Sequence, residues 1–290
     1  MLHHRNSVPK LPNRVVVIGA GGFIASEIVS AVVGCGVEVL KLGRPSLDLL
    51  QSKSVRLLKS VLQPGDSVVF AAAHAPVRNL EMFQSNIIML ENLVEALVDV
   101  NVSHLVYLSS DAVYSDSRNL LSEKSSTGPS SMHGAMHLTR EIVLRDLLGD
   151  RLAIVRPTLV YGSRDPHNGY GPNRFVRSAR ANGEIQIFGS GEEYRDHISV
   201  NDVAEIINQI LQMKSVGVIN AVTGDPVTFR DIADAISEDI ADVVKVVNLP
   251  RLGPMPHDGY RAFDVSLLRE KFPTIELMGW RDGMRHLVSA

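Results

Sequence analysis

The chain has little cysteine and few aromatic residues: of its 290 residues one is cysteine and 5% are aromatic. The single cysteine, Cys35, excludes an internal disulfide framework and a metal site built from several cysteines. An excess of one charge is also missing, since the formal net charge is −3 and the basic residues are dispersed. We therefore expect binding neither to nucleic acid nor to an anionic membrane.

Internal repeats and low-complexity segments are absent too. Residues 1–13 are predicted to be an N-terminal extension, with two prolines and no apolar core, and so neither a signal peptide nor a membrane span. The whole chain is 45% hydrophobic and 21% charged, which suits a folded protein with a buried sheet. These features together favour a cytoplasmic enzyme without a metal.

Strands and helices alternate through the first half of the chain. Strands separated by helical crossovers must pair in parallel, so the pattern predicts an α/β fold with a doubly wound parallel sheet. The nearly continuous apolar strands fit a sheet covered on both faces. The predicted strands are residues 14–18, 37–42, 67–71, 104–108 and 152–155, and the helices that follow the first four end at residue 33 or span 52–62, 80–100 and 132–148.

The first strand ends at the glycine-rich turn Gly19-Ala20-Gly21-Gly22, and a helix follows. In this order the backbone N–H groups at the helix start can bind a phosphate. Gly19 would allow the tight turn, Gly22 the close approach of a pyrophosphate, and Ala25 close packing of helix on strand. An ordinary strand–helix turn can contain the same glycines, but the surrounding alternation favours a dinucleotide site.

The second half of the chain loses this alternation. Residues 162–173 are predicted to be a functional loop, and Asn201 the N-cap of a helix. We predict a dinucleotide-binding domain at 14–160, which also receives about 194–222, and a smaller substrate-binding lobe, mainly 161–290. The remaining predicted strands are 185–188, 197–200 and 217–220, and the helices are 174–181, one from residue 201, 228–240 and 280–288.

The end of the second strand bears on the choice between NAD and NADP. An acidic residue there binds the 2′-hydroxyl of the adenine ribose, whereas a basic residue suits a 2′-phosphate. The strand ends at Arg44, and no acid occurs before Asp48. Arg44 therefore favours NADP over NAD unless it is only a solvated loop residue. Asp48 could instead bind the adenine or the ribose.

Further segments occur in the order and spacing of one family. They are Gly19-x-x-Gly22-Phe23-Ile24-Ala25, Ala71-Ala72-Ala73-His74, Asn86, residues 108–114 (LSSDAVY), residues 156–162 (RPTLVYG) and residues 195–204 (RDHISVNDVA). Together they resemble the extended short-chain dehydrogenase/reductases, the NAD-dependent epimerases and dehydratases that modify nucleotide sugars. Residues 42–49 (LGRPSLDL) are especially similar to dTDP-sugar ketoreductases.

The resemblance implies an NAD- or NADP-dependent oxidoreductase, epimerase or dehydratase with a nucleotide-sugar substrate, and pairing of two copies through helices 80–100 and 132–148. The cofactor residues it implies are Gly19, Gly22, Phe23, Ile24, Arg44, Asp48, Ala71, Ala72, Ala73, Ser109, His137 and Pro157. The substrate residues it implies are His74, Tyr161, Asn173 and Arg195. Arg195 has an alternative role in an ion pair with Asp196 or Asp202.

The chain departs from the family at the catalytic Tyr-x-x-x-Lys motif, where it carries His133 and His137. In the usual arrangement the lysine binds the nicotinamide ribose and lowers the tyrosine pKa from about 10. Residues i and i+4 share one helix face, so both histidines could face the same cleft. His133 could then be the acid or base, and His137 could bind the ribose. Ser110 and Asp111 would complete the catalytic set.

Three interpretations of the histidine pair stay open. The pair could be the acid/base group of an active enzyme. It could instead mark a degenerate site in a regulatory or partner protein that binds a dinucleotide or nucleotide sugar without turnover. The third interpretation, a metal site, has the least support because the sequence fixes no third ligand.

Overall fold

The computed structural model describes residues 1–240 and 243–290. The strands are β1 Arg14–Ile18, β2 Glu38–Leu42, β3 Ser67–Phe70, β4 His104–Leu108, β5 Leu152–Pro157, β6 Leu159–Tyr161, β7 Glu184–Phe188, β8 Tyr194–Arg195, β9 His197–Ser199, β10 Gly217–Ala221, β11 Val227–Thr228, β12 Lys245–Leu249 and β13 Tyr260–Arg261. The α-helices are α1 Phe23–Gly34, α2 Lys53–Val61, α3 Leu80–Asp99, α4 Met132–Leu148, α5 Pro172–Asn182, α6 Val200–Gln212, α7 Phe229–Asp239, α8 Ser266–Lys271 and α9 Trp280–Ser289.

Six strands form one sheet in the order β10-β5-β4-β3-β1-β2. Every neighbouring pair in it is parallel. This order confirms the doubly wound α/β sheet predicted from the alternation of strands and helices. The strand order reverses between β1 and β3, and in open α/β sheets a ligand crevice lies at the carboxyl ends of the strands at such a point.

Apolar side chains cover both faces of the sheet. Helices α1 and α6 pack on one face, for example through Ile28 and Ile207. Helices α2, α3 and α4 pack on the other, through residues that include Leu93 and Leu144. Successive residues of β1 enter opposite cores, Val17 one and Val16 the other, and both are fully buried. Burial on both faces explains why β1 is apolar at consecutive positions.

The second half adds small sheets around a third apolar core. Helices α5, α7 and α9 enclose this core, which contains Phe175, Ile185, Phe229 and Met284. Strand β12 pairs with β7, β8 lies between β11 and β13, and β6 pairs with β9. Strands β6, β8, β11, β12 and β13 were not predicted. Three of them, β8, β11 and β13, have only two residues, which is too few to show a period.

Two helix starts differ from the predictions. Helix α6 is capped by Ser199, whose Oγ accepts a hydrogen bond from the backbone N of Asp202 at 3.0 Å, so the prediction of Asn201 as N-cap was wrong. Helix α5 begins at Pro172, before the predicted start, because proline suits the first helical turn. At the start of α7, Thr228 and Asp231 form a capping box, in which each side chain binds the backbone N of the other residue.

The N-terminal segment lies against the main sheet and its helices. Leu2 is buried in the core beside α1 and α6, and the backbone of His3 pairs with that of Val216. His4 donates from Nε2 to the carbonyl oxygen of Lys271 at 3.0 Å, and its Nδ1 lies 2.7 Å from the Ser215 hydroxyl. In the part of the chain that the structure describes, no helix is both long and apolar enough to cross a membrane.

Helix α4 starts in close contact with the segment that follows β4. Ser131 caps the helix by accepting a hydrogen bond from the backbone N of Gly134 at 3.1 Å. A Cβ atom at Gly134 would overlap the carbonyl oxygen of Ala112 and lie 2.7 Å from the Cβ of Pro129. Gly134 is therefore what allows α4 to approach residues 111–113 so closely.

We expect Gly134→Ala to lower the free energy of unfolding by about 1–3 kcal/mol, because the new methyl group must displace backbone atoms. Gly34→Ala is the matched control, since Gly34 is also helical and a Cβ there meets no atom within 4 Å. The control should stabilise the protein by up to about 1 kcal/mol through helix propensity. Urea unfolding of both variants measures the difference, and equal effects would contradict the close approach at Gly134.

Candidate active site

The glycine turn after β1 and the alanine turn after β3 meet at the carboxyl edge of the sheet. Gly19 has a φ of +91°, and a Cβ atom there would lie 2.6 Å from the backbone N of Ala72. Only glycine fits this position. A cavity of about 420 Å³ opens beside the two turns. The predicted residues that line it are Gly19, Gly22, Arg44, Asp48, Ala71, Ala72, Ala73 and His74.

The cavity suits an anionic dinucleotide. Helix α1 follows Gly22, which makes no side-chain cap, so the first N–H groups of the helix are free to bind a phosphate. Arg44 is exposed and forms no ion pair with the residues that the structure describes. Asp48 accepts a hydrogen bond from the backbone N of Leu50 at 3.1 Å, so its carboxylate is engaged within its own loop.

The alanine turn is held from behind by two polar side chains. Asn86 accepts a hydrogen bond from the backbone N of His74 at 3.1 Å and donates one to its carbonyl oxygen at 3.0 Å. Arg140 of α4 donates to the carbonyl oxygen of Ala72 at 2.8 Å and to that of Asn86 at 2.8 Å. The position of this cavity wall therefore depends on α3 and α4.

The strand ends beside the cavity hold a buried polar network. Ser109 donates to Glu141 at 2.6 Å, and Arg156 donates to both carboxylate oxygens of Glu141 at 2.8 and 2.5 Å. The predicted cofactor residue Ser109 thus turns its hydroxyl into the protein, and Pro157 is buried at the end of β5. Ser110 stays partly exposed and accepts a hydrogen bond from Ala112 N at 3.2 Å.

The two histidines of α4 lie side by side, with ring centroids 4.7 Å apart and ring planes nearly perpendicular. His133 is half-buried, and the backbone N of Val77 lies 3.5 Å from its Nδ1, a contact too long to fix the tautomer. His137 is buried, and its Nδ1 lies 2.7 Å from the Tyr107 hydroxyl. Their spacing on one helix face therefore brings the two rings together, although His133 is half-buried and His137 is buried.

Burial lowers the pKa of both imidazoles from the ordinary value. For His133 the charge of Asp111 works in the opposite direction and raises the pKa, so the net lowering is partial. The pKa of His137 is lowered well below its usual range by burial, and the neighbouring His133 and Arg140 add to the effect. His137 is therefore neutral at neutral pH and does not provide the positive charge of a lysine.

Asp111 is bound by an arginine from far along the chain. The Nε of Arg261 in β13 donates to its carboxylate at 3.2 Å, and Arg261 also donates to the backbone oxygen of Asp111. Arg261 reaches Asp116 at 3.2 Å as well, and Asp116 contacts His257. The predicted catalytic carboxylate is thus part of an ion-pair cluster that joins β13 to the segment after β4.

The predicted substrate residue Arg195 is buried, and its Nε has no hydrogen-bond partner among the described residues. The alternative ion pairs with Asp196 and Asp202 do not form there. Asp196 instead accepts hydrogen bonds from Thr223 and Gly224, with oxygen–nitrogen distances of 3.0 and 2.7 Å. Arg195 is therefore a cation that its own neighbours leave partly unsatisfied.

Asn173 and Tyr161 are placed differently from the other predicted substrate residues. The Asn173 amide exchanges two hydrogen bonds with the backbone of Gly162, so both of its polar atoms are engaged. The hydroxyl of Tyr161 faces Gly283 of α9, where a Cβ atom would overlap it. Among the four predicted substrate residues, His74 is the one that lines the cofactor cavity.

Three charged residues of the site were missed by the sequence analysis: Arg140, Glu141 and Arg261. A signal for the first two exists, because together with His133 and His137 they occupy positions 0, 4, 7 and 8 of one helix face. Polar residues at core-facing positions of a helix mark a buried network. Nothing local in the sequence connects Arg261 to Asp111.

Phe23 and Ile24 lie partly buried in the first turn of α1, and the Phe23 ring approaches Gly162.

In the described residues no cluster of three or more His, Cys, Asp or Glu is arranged to hold a metal ion.

Comparison with known proteins agrees with this geometry. The sequence model of the NAD dependent epimerase/dehydratase family matches residues 15–223. A dTDP-4-dehydro-6-deoxy-D-allose reductase of Streptomyces bikiniensis is 27% identical over 259 residues, which cover 76% of this chain and 78% of that protein.

Solved structures give the same result. The UDP-glucose 4-epimerase of Thermus thermophilus, in complex with NAD, matches with a TM-score of 0.80 and 25% identity, covering 95% of this chain and 98% of that one. A GDP-L-fucose synthetase from Naegleria fowleri bound to NADP shares the fold, with a TM-score of 0.84 at 15% identity over 99% of this chain and 95% of that one. The chain therefore belongs to the NAD-dependent epimerase/dehydratase family and is an NAD(P)-dependent enzyme.

Proposed function

We propose that this enzyme oxidises and re-reduces a nucleotide-linked sugar, with His133 as the acid/base in place of the family's tyrosine. The observation that carries the proposal is the position of His133. It is a half-buried imidazole within electrostatic reach of Asp111, on the helix whose Arg140 holds the alanine turn of the cofactor cavity. The relatives support the substrate class, since their names specify a dTDP-linked sugar and UDP-glucose.

The lowered pKa of His133 favours its role as a base at neutral pH. A nicotinamide cofactor held by the glycine turn would supply reversible hydride transfer at the sugar carbon. A neutral imidazole can take the hydroxyl proton as the carbonyl forms, and the imidazolium can give it back. This favours a reaction that begins with oxidation of a sugar hydroxyl, as in epimerisation or dehydration.

The residues available for the two ligands follow from the same geometry. The glycine turn and the start of α1 would bind the cofactor pyrophosphate, and Arg44 would bind a 2′-phosphate, which favours NADP. Arg195 would meet the diphosphate of the substrate, because its Nε lacks a partner among the described residues. The exposed Ser110 hydroxyl would contact the reacting oxygen.

The first test is His133→Gln, which keeps a polar side chain but cannot exchange a proton at neutral pH. We expect kcat to fall by about 10²- to 10⁴-fold, since that is the usual contribution of a general acid/base. Cofactor affinity should change little. The assay follows nicotinamide absorbance with a panel of UDP- and dTDP-linked sugars and keto-sugars.

His286→Gln is the matched control, because His286 is an exposed histidine on α9. Full activity in His133→Gln would contradict the catalytic role of His133. Tight cofactor binding without turnover of any nucleotide sugar would instead support the non-catalytic binding protein.

The second test is the pH dependence of sugar oxidation. Burial lowers the pKa of His133 below its ordinary value of about 6.5. The neutral base therefore predominates at pH 7 and above, and kcat/KM should fall as the pH drops through that lowered pKa. In the direction of ketone reduction the imidazolium is needed, so the sign reverses and the rate should rise on acidification. If the kcat/KM of His133→Gln falls at acidic pH in the same way, that fall belongs to another group.

The third test concerns the cofactor preference. Arg44→Ala should weaken NADP binding by about tenfold or more, which corresponds to the loss of one charge-assisted hydrogen bond. NAD binding should change little. Arg269→Ala, which removes an exposed arginine of α8, controls for the change in net charge. Equal losses of affinity for both cofactors in Arg44→Ala would contradict a 2′-phosphate site at this residue. Fluorescence titration of each cofactor provides the dissociation constants.

A further inference from the structure

Arg140 is a buried cation that has no acidic partner among the described residues. Its side chain is 1% exposed, and it lies over the Phe70 ring with 4.9 Å from Cζ to the centroid. It donates to the carbonyl oxygens of Ala72 and Asn86 and to the Asn86 amide oxygen at 3.0 Å. No carboxylate of the described residues forms an ion pair with it. The adjacent Glu141 is turned towards Arg156.

An isolated buried charge is expensive, so a positive charge that is retained without a counter-ion calls for an explanation. Burial disfavours the charged form of Arg140 and lowers its pKa from a very high ordinary value. The guanidinium nevertheless stays protonated, as it does throughout proteins. The field of the cation is poorly screened by its surroundings. It therefore acts on the cavity whose wall, the alanine turn, Arg140 holds.

The charge of Arg140 also acts on the hydroxyl of Tyr107, whose ring stacks on Phe70, the ring that Arg140 covers. Burial raises the pKa of Tyr107, so this phenol keeps its proton. The guanidinium repels the hydroxyl hydrogen and favours its donation to the other neighbour, Nδ1 of His137, which lies 2.7 Å away. With Nδ1 as acceptor, the proton of the neutral imidazole must be on Nε2.

We infer that Arg140, Tyr107 and His137 together replace the single lysine of the family's motif. Arg140 supplies the fixed positive charge behind the dinucleotide cavity, and Tyr107 holds His137 as a neutral donor through Nε2–H. Arg140 and Tyr107 are positioning residues, since neither reaches the cavity directly. The inference rests on the proposed function, because it explains how the site would work without a lysine. Its tests measure a tautomer and cofactor binding, so they do not depend on turnover.

The tautomer is tested by nitrogen NMR of the full chain with labelled histidine, and His137→Gln identifies the signals. We expect His137 to stay neutral, with hydrogen on Nε2. Tyr107→Phe removes only the hydroxyl and should produce the other tautomer or a mixture. Hydrogen on Nδ1 in the native protein, or an unchanged spectrum in Tyr107→Phe, would overturn the assignment.

The charge is tested by Arg140→Lys against Arg140→Gln. Lysine keeps the charge, whereas glutamine keeps a donor for the carbonyl oxygens without it. We expect cofactor Kd to rise by about tenfold in the glutamine variant and far less in the lysine variant, with the His137 titration moving towards its ordinary range only for glutamine. Arg14→Met, which removes an arginine paired with Asp66 at the start of β1, should leave cofactor Kd unchanged.

Equal effects of Arg140→Lys and Arg140→Gln on cofactor Kd would overturn the role of the charge. Arg140 would then act through its hydrogen bonds alone. An inactive protein whose cofactor affinity and His137 signals behave as expected would support this inference and contradict the proposed reaction alone. Circular dichroism shows whether each variant is folded. If Arg140→Gln does not fold, the NMR comparison of the native protein with Tyr107→Phe still tests the tautomer.

Discussion

The buried ion pair between Glu141 and Arg156 ties helix α4 to the central sheet, and the geometry of the site depends on it. Both residues are almost fully buried, and the guanidinium meets both carboxylate oxygens, at 2.8 and 2.5 Å. Ser109 adds a third hydrogen bond to the same carboxylate. Loss of one partner from such a pair leaves an uncompensated charge and costs about 3–5 kcal/mol. The pair therefore fixes where α4 lies along β4 and β5, and with it the positions of His133 and His137.

The neighbouring Arg140 extends this constraint to the cofactor cavity. Successive residues of α4 point to different partners, Glu141 to β5 and Arg140 to the turn after β3. One helix thus sets the distance between the two histidines and the alanine turn that lines the cavity. In a lysine-based site, positive charge and ribose contact belong to one side chain. In the arrangement inferred for this enzyme they are separated, with the charge deeper and the contact made by a neutral ring.

The parts of this structure that the sequence predicted are those governed by local patterns. Apolar strands alternating with helices indicate the sheet, and Gly19 indicates the turn because its backbone conformation excludes other residues there. The prediction of the cap at Asn201 failed because Ser199, two residues earlier, offers its oxygen to the same helix start. The surroundings of His137 were also not predictable, since the i, i+4 rule gives a face but not the partner on it.

Contacts between distant residues were beyond the sequence, and Arg261 is the most consequential of them. It lies 150 residues from Asp111, on a two-residue strand that has no sequence signature. Asp111 raises the pKa of His133 through its charge, and a carboxylate left alone would favour the imidazolium. Arg261 pairs with that carboxylate, and burial, the larger effect, keeps the pKa of His133 below its ordinary value. The part of the chain that follows Tyr161 therefore contributes to the site, because its Arg261 binds the carboxylate whose charge acts on the proposed base.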